Sequence, residues 1–258
     1  MAFRVGFTAV AAMLGALALG PAQPLKAQIL VTQSDVEAEL RVQWLSMKRE
    51  MPQHPSQRVQ RFAQCVAFAI LDVVPGEWRE LNWEIIVFDS DSKNAMVTPE
   101  GKIAIFSGLL EEANTADRLA AVLGHEVAHL TEDHVKERVR RGGRTGLVGA
   151  VGGAITGIDS QNVAQVVMQL PFQREQENEA DLVGMRYAAM AGYNPAAALA
   201  LWRDMGGDGS QRGRRPPEFL STHPDPEYRM QDIAKNLSPA LKIYNDALDA
   251  GVRPACVP

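Results

Sequence analysis

Thr115-Ala-Asp-Arg-Leu-Ala-Ala-Val-Leu-Gly-His125-Glu126-Val127-Ala128-His129-Leu-Thr-Glu-Asp-His134 is the stretch on which the reading of this chain turns. Thr115 suits an N-cap, and the residues after it predict one long helix running through Arg141 and ending at Gly142-Gly143. His125 and His129, four residues apart, then lie on one face about a turn above each other, where both imidazoles can reach a single metal ion. Glu126 sits one residue round the helix, close enough to touch a metal-bound water without binding the metal, which is the place of a general base. His134 lies five residues past His129, about 140° round a continuous helix. It is predicted to point away from the metal and to be structural.

A catalytic zinc needs a third protein ligand and an open fourth position. The metzincin arrangement would require glycine and histidine where this chain has Glu132 and Val135, so it fails. The other solution is a carboxylate from a separate helix. REQENEAD, ending at Asp181, offers Glu177 and Asp181 on one helical face: Glu177 can bind zinc while Asp181 hydrogen-bonds a ligand histidine. Alone, this segment would read as a solvated charged helix; beside HExxH the metal reading prevails. Gly184, one turn past Ala180, lets the helix approach a neighbour closely.

Working outward, helices are predicted over Ser34 to Glu50 and Ser56 to Asp72, joined by the Pro-rich turn MPQHPS. The second carries Val59, Phe62, Val66 and Ile70 at helical spacing. Trp83 to Phe88 and Lys102 to Phe106 read as strands, with a turn at Pro99-Glu100-Gly101 between them. A small sheet of three or so strands in a mainly helical α+β protein is expected. Beyond Gly143, Gly149, Gly153 and Gly157 stand four apart, one smooth face of a buried or mobile helix. Helices resume at Gln173 to Ala191 and at Pro195 to Met205, the latter capped by Asn194. A flexible loop from Gly206 to Phe219 follows, and a short helix closes the chain. No internal repeat is present, and residues 28–258 are read as one domain.

The formal net charge of −5 is mild, and the basic residues cluster only at Arg138 to Arg144 and Arg212 to Arg215, too little for a nucleic-acid surface. At the start, one basic residue, Arg4, precedes an uncharged run from Val5 to Gly20 and then small residues and prolines. Residues 1–27 therefore read as a secretory signal peptide, cleaved after Ala18, Ala22 or Ala27; an uncleaved anchor is the alternative, disfavoured by the shortness of the apolar run. Export would place Cys65 and Cys256, the two cysteines, in oxidising surroundings. One disulfide and two buried thiols fit the sequence equally.

The pieces Asn94-Ala-Met-Val, PEGKIAIFSGLL, LGHEVAHLTEDH, FQREQENEADLVGMRYAAMAGYNP and STHPDPEYR, in that order, resemble the HtpX-like and CAAX-prenyl-protease-like zinc metallopeptidases, family forty-eight of the metallopeptidases. They span Val87 to Ile233. The resemblance implies a zincin-like (gluzincin) fold with the sheet beside the HExxH helix. It also implies one zinc ion held by His125, His129 and Glu177, with Glu126 as base and Asp181 behind the ligands. Two further roles come from it alone. His223 matches a histidine near the metal that either stabilises the transition state or latches the open site, and Arg229 matches its companion arginine. In architecture the chain resembles the periplasmic BepA- and LoiP-like branch, although it shows no helical-repeat tail and no cysteine before Cys65 to carry a lipid.

The expectation is thus an exported, periplasmic zinc endopeptidase that cleaves unfolded or misfolded envelope proteins, in contact with envelope membranes or outer-membrane proteins. Substrate would lie extended along Lys102 to Phe106 or along Ala95 to Thr98. The loop from Gly206 to Phe219 would gate the site. The competing expectation is a latent, chaperone-like factor that binds zinc and captures misfolded proteins with little cleavage; only the enzyme needs Glu126. A third, a zinc hydrolase of small molecules, is weakened by the strand suited to a peptide.

Overall fold

The computed structural model describes residues 33–144, 170–206, 218–224 and 226–258. Helices α1 (Gln33–Glu50) and α2 (Gln57–Leu71) flank the Pro-rich turn as predicted, and the Ser56 hydroxyl caps α2 by accepting from the Val59 N–H at 3.5 Å. Phe62, Val66 and Ile70 are buried on the apolar face of α2, with Val59 at its margin. A single turn, α3 (Gly76–Arg79), leads into the sheet.

Strands β1 (Glu84–Phe88), β2 (Ala95–Thr98) and β3 (Lys102–Phe106) pair in the order β1-β3-β2. The Pro99–Gly101 turn closes the β2–β3 hairpin rather than joining β1 to β3, which run parallel. Gly101, at φ 75°, donates to the Thr98 carbonyl at 3.1 Å, a left-handed conformation that glycine adopts without cost. Ile103, Ala104 and Ile105 are all buried, because β3 is the central strand and is covered on both faces.

With both of its edges paired, β3 has no backbone left for a substrate, which removes one of the two segments expected to bind it. The outer edge of β1 is also occupied. The Gln60 side chain of α2 donates from Nε2 to the Val87 carbonyl (2.7 Å) and accepts at Oε1 from the Val87 N–H (3.0 Å). Gln64 Nε2 donates to the Ile85 carbonyl (3.2 Å), and the His54 N–H donates to that of Val87 (2.9 Å). Side chains and a loop thus stand in for a fourth strand. Among the described residues, no strand pairs with the outer edge of β2, which packs beside the next helix.

After a 3₁₀ turn (Ser107–Glu111), α4 (Ala116–Thr131) begins under the Thr115 cap, whose hydroxyl accepts from the Arg118 N–H at 3.3 Å. The predicted long helix is in fact two. It stops at Thr131, Asp133 takes φ 59°, a conformation aspartate tolerates better than most residues, and α5 (His134–Arg144) sets off afresh. Helix α6 (Arg174–Met190) packs along α4. They meet where Gly124 faces Gly184: a Cβ on Gly124 would stand 2.6 Å from the Gly184 carbonyl oxygen, and one on Gly184 2.6 Å from the Gly124 carbonyl carbon. This is the close approach expected of Gly184.

Helix α7 (Ala197–Gly206) starts two residues after Pro195, the intervening turn held by the Ala196 N–H donating to Asn194 Oδ1 at 3.0 Å. A short α8 (Glu218–Thr222) precedes α9 (Pro226–Asp249), which is a long helix of 24 residues where a short one was expected. Packing against α6 and α7 carries α9 past the hydrogen bond that Pro239 cannot make.

One large apolar core joins α2, one face of the sheet, α4, α6, α7 and α9. A smaller one, Trp44, Ile86, Phe88 and Ala104, seals α1 to the opposite face. Cys65 and Cys256 form a disulfide with Cα atoms 5.6 Å apart, which settles the choice left open above. Residues 1–27, the glycines at 149, 153 and 157, and nearly all of the loop from Gly206 to Phe219 lie outside the described residues. Among the described residues, no helix is long and apolar enough to cross a membrane.

Candidate metal centre

His125 and His129 project from the buried face of α4, and Glu177 from the facing turn of α6, which the two glycines hold close enough for the side chains to meet. His125 Nε2 lies 3.0 Å from His129 Nε2 and 3.5 Å from Glu177 Oε2; His129 Nε2 lies 3.5 Å from Glu177 Oε1. His223, just beyond α8, brings its Nδ1 to 3.1 Å from His125 Nε2 and 3.0 Å from Glu177 Oε1. All four residues are buried, and one ligand atom from each lies within 4.8 Å of the others.

These separations fit a metal. With bonds of about 2.0–2.1 Å to nitrogen and oxygen, the edges of a tetrahedral zinc site measure about 3.3–3.4 Å, and the observed spacings bracket that value. The polar atoms agree. Glu126 Oε1 and Glu177 Oε2 are buried and accept no hydrogen bond; Arg229 Nη1 lies 2.7 Å from the latter as a charge neighbour, without a donor's alignment. Three ring nitrogens and a carboxylate turned on one point are a poor arrangement for a protein interior and a good one for a dication.

Behind the site lies a buried ion cluster. Arg229, on α9, donates from Nε to Asp181 Oδ2 (2.7 Å) and from Nη2 to Asp181 Oδ1 (2.6 Å), while its guanidinium lies 3.6 Å from the centre of the Trp202 ring. Asp181 Oδ1 is 3.0 Å from His125 Nδ1, the contact expected of it. Burial raises the Asp181 carboxyl, but Arg229 and His125 together hold it below its ordinary value. Glu177 behaves alike: burial opposes its charge, and His223 and Arg229 together hold it far down. Burial lowers both histidines of α4, His125 to about 4 with help from the Arg229 charge, so both rings are kept as neutral donors of a lone pair. Burial also pushes Glu126 up to about 7, and its Oε1 stands 3.4 Å from His223 Nε2.

The structure therefore brings His125, Glu126, His129, Glu177, Asp181, His223 and Arg229 together. It corrects the reading of His134. Because α4 ends before it, His134 does not lie 140° away but turns back, placing its Nδ1 3.0 Å from His129 Nδ1. Three aromatic residues that the sequence does not mark also pack on the cluster. Phe172 stacks on His129 with ring centres 3.7 Å apart, Phe219 stacks on His223 at 4.2 Å, and Trp202 meets His125 edge-on at 5.8 Å. No local pattern marks them, since each comes from an element far from HExxH in sequence.

A buried His₂Glu cluster with a carboxylic acid beside it, on two helices next to a small sheet, defines a zincin-like metal hydrolase. Residues 53–237 match peptidase family M48, and the chain belongs to that family; its cofactor is zinc. It is similar to the mitochondrial metalloendopeptidase OMA1 of Saccharomyces cerevisiae, 32% identical over 217 residues that make up 79% of this chain and 63% of that protein. The protein of that name from Schizosaccharomyces pombe is 34% identical over 173 residues, 66% of this chain and 51% of its own length. The beta-barrel assembly-enhancing protease of Escherichia coli is 26% identical over 163 residues, 58% of this chain and 33% of that protein. The matches thus span between one third and somewhat under two thirds of these relatives.

Proposed function

We propose that the chain is a zinc-dependent endopeptidase, with His125, His129 and Glu177 as metal ligands and Glu126 as general base. The observation that carries this is the convergence of three neutral or anionic donors on one buried point beside a carboxyl group whose buried Oε1 accepts no hydrogen bond. Zinc, when bound, supplies a Lewis acid and an activated water. Glu126 takes the proton from that water and returns it to the leaving amine nitrogen. Arg229 and Asp181 hold His125 in place, and the surrounding rings exclude bulk water.

An extended polypeptide would add to the outer edge of β2, the one strand edge without a partner among the described residues. Backbone pairing there holds a chain in register without reading its side chains, which suits unfolded or misfolded substrates. Export, read from residues 1–27, and a part in cell-envelope quality control complete the proposal; the similarity to the beta-barrel assembly-enhancing protease supports the latter. The N-terminal residue of the protein recovered from a periplasmic extract tests export, and an unprocessed Met1 in the cytosol would refute it.

The test of activity is cleavage of casein by the parent and by Glu126→Gln, with zinc measured in both. A loss of about 10²–10⁴-fold in rate at equal zinc is expected. Equal cleavage would remove Glu126 as base, and zinc retained by Glu177→Gln would remove that ligand. One observation favours a second reading, a latched enzyme: His223 Nδ1 stands at the fourth corner of the cluster, where a substrate or water would enter. A latch predicts that His223→Ala raises cleavage of at least one substrate; a fall on every substrate leaves His223 as a catalytic donor.

A further inference from the structure

The ligand assignment proposed above leaves the far nitrogen of His129 unexplained. A histidine that binds a metal through one ring nitrogen carries its proton on the other and is fixed by whatever accepts that proton. For His125 the acceptor is Asp181. For His129 the neighbour is a second imidazole: His134 Nδ1, 3.0 Å away, with His134 Nε2 in turn 3.3 Å from Glu179 Oε2. His134 is buried, whereas the Glu179 side chain is 57% exposed, so the chain of contacts runs from the cluster outward to solvent.

We propose that His134 is a positioning residue for the metal, the acceptor that fixes the tautomer and orientation of His129. The protons follow from the geometry. With Nε2 of His129 committed to the metal, its Nδ1 must carry hydrogen and donates to His134 Nδ1, which must then be bare. The proton of His134 therefore sits on Nε2 and is donated to Glu179. Two nitrogens 3.0 Å apart can share only one hydrogen, so binding of the metal selects this single arrangement. Phe172, stacked on His129 with 16° between the ring planes, opposes rotation of the ring about its Cβ–Cγ bond but does not distinguish its two flipped orientations; the hydrogen bond from Nδ1 to His134 selects one of them. The break at Asp133 is what delivers His134 to this place, since on an unbroken helix it would face elsewhere.

The proposal rests on His129 being a ligand, so zinc affinity is measured by chelator competition on the parent, His134→Phe and His134→Asn in parallel, together with the thermal midpoint of each metal-free protein. Phenylalanine keeps the ring and loses the acceptor; asparagine has a carbonyl oxygen that can take the Nδ1 proton. The expected result is a loss of affinity of about 10- to 100-fold for His134→Phe, substantial recovery in His134→Asn, and metal-free midpoints that do not follow that order. Undiminished affinity in His134→Phe overturns the proposal, as does an equal loss in both variants, which would mark a packing role. A parent that binds no zinc would instead bring down the ligand assignment itself. Nitrogen-15 spectra of the zinc-loaded parent provide a check that needs no variant: His134 is expected protonated at Nε2 and bare at Nδ1, and the reverse would overturn the assignment.

Discussion

The two histidines that α4 contributes to the buried cluster are supported in opposite ways. Behind His125 lie charges fully withdrawn from water, Asp181 and Arg229, with the guanidinium sandwiched against Trp202. Behind His129 lie a second imidazole and then a carboxylate open to solvent. A buried charge stripped of its partner costs several kcal/mol, whereas an exposed partner is replaced by water at little cost. The His125 side is thus bound up with the stability of the fold, and the His129 side can be adjusted without unfolding it. One cluster has a rigid support and a tunable one.

The sharpest attack on this contrast is Arg229→Leu. It leaves Asp181 and Glu177 buried without their cation, and a loss of about 3–5 kcal/mol is expected in urea unfolding of the metal-free protein. A cost below 1 kcal/mol would erase the distinction between the two sides. Asp181→Asn keeps the shape but removes one charge from the pair, and about 1.5–3 kcal/mol is expected by the same measurement. Gly124→Ala acts on both sides at once. Its Cβ must push α6 away, for about 1–3 kcal/mol of stability, and because Glu177 rides on α6, zinc affinity should fall as well. Stability lost with affinity unchanged would show that the helices slide without moving the ligands apart. Smallest of all, Glu179→Ala should cost less than about 1 kcal/mol of stability, since water can take its place beside His134.

Much of the chemistry was legible in the sequence because it is written in short, regular spacings. His125 with His129, and Glu177 with Asp181, are pairs four apart on helices, and the helix repeat carries them to one face without any knowledge of the rest of the molecule. Gly184 could be read for the same reason, although its partner Gly124 could not. What escaped depended on where regularity stops. The orientation of His134 follows from one residue, Asp133, leaving the helical conformation, and the sequence ran on as a good helix past that point. Residue type located β1 and alternation located β3, but neither gave their order, and so neither revealed that β3 is central and closed to substrate. His223 and Arg229 entered only by resemblance, since they reach the site through folding of the whole chain. Gln60 is the plainest case: nothing local distinguishes a glutamine on a helix from one that stands in for a strand.

The Cys65–Cys256 bond encloses the entire metal cluster in one covalent ring, from before β1 to the last residues of the chain. A cut anywhere within that ring leaves two fragments tied to one another. A chain nicked by its own activity, or by a neighbouring copy, would therefore migrate as intact until a reducing agent is added, and its wear would be visible only on a reducing gel.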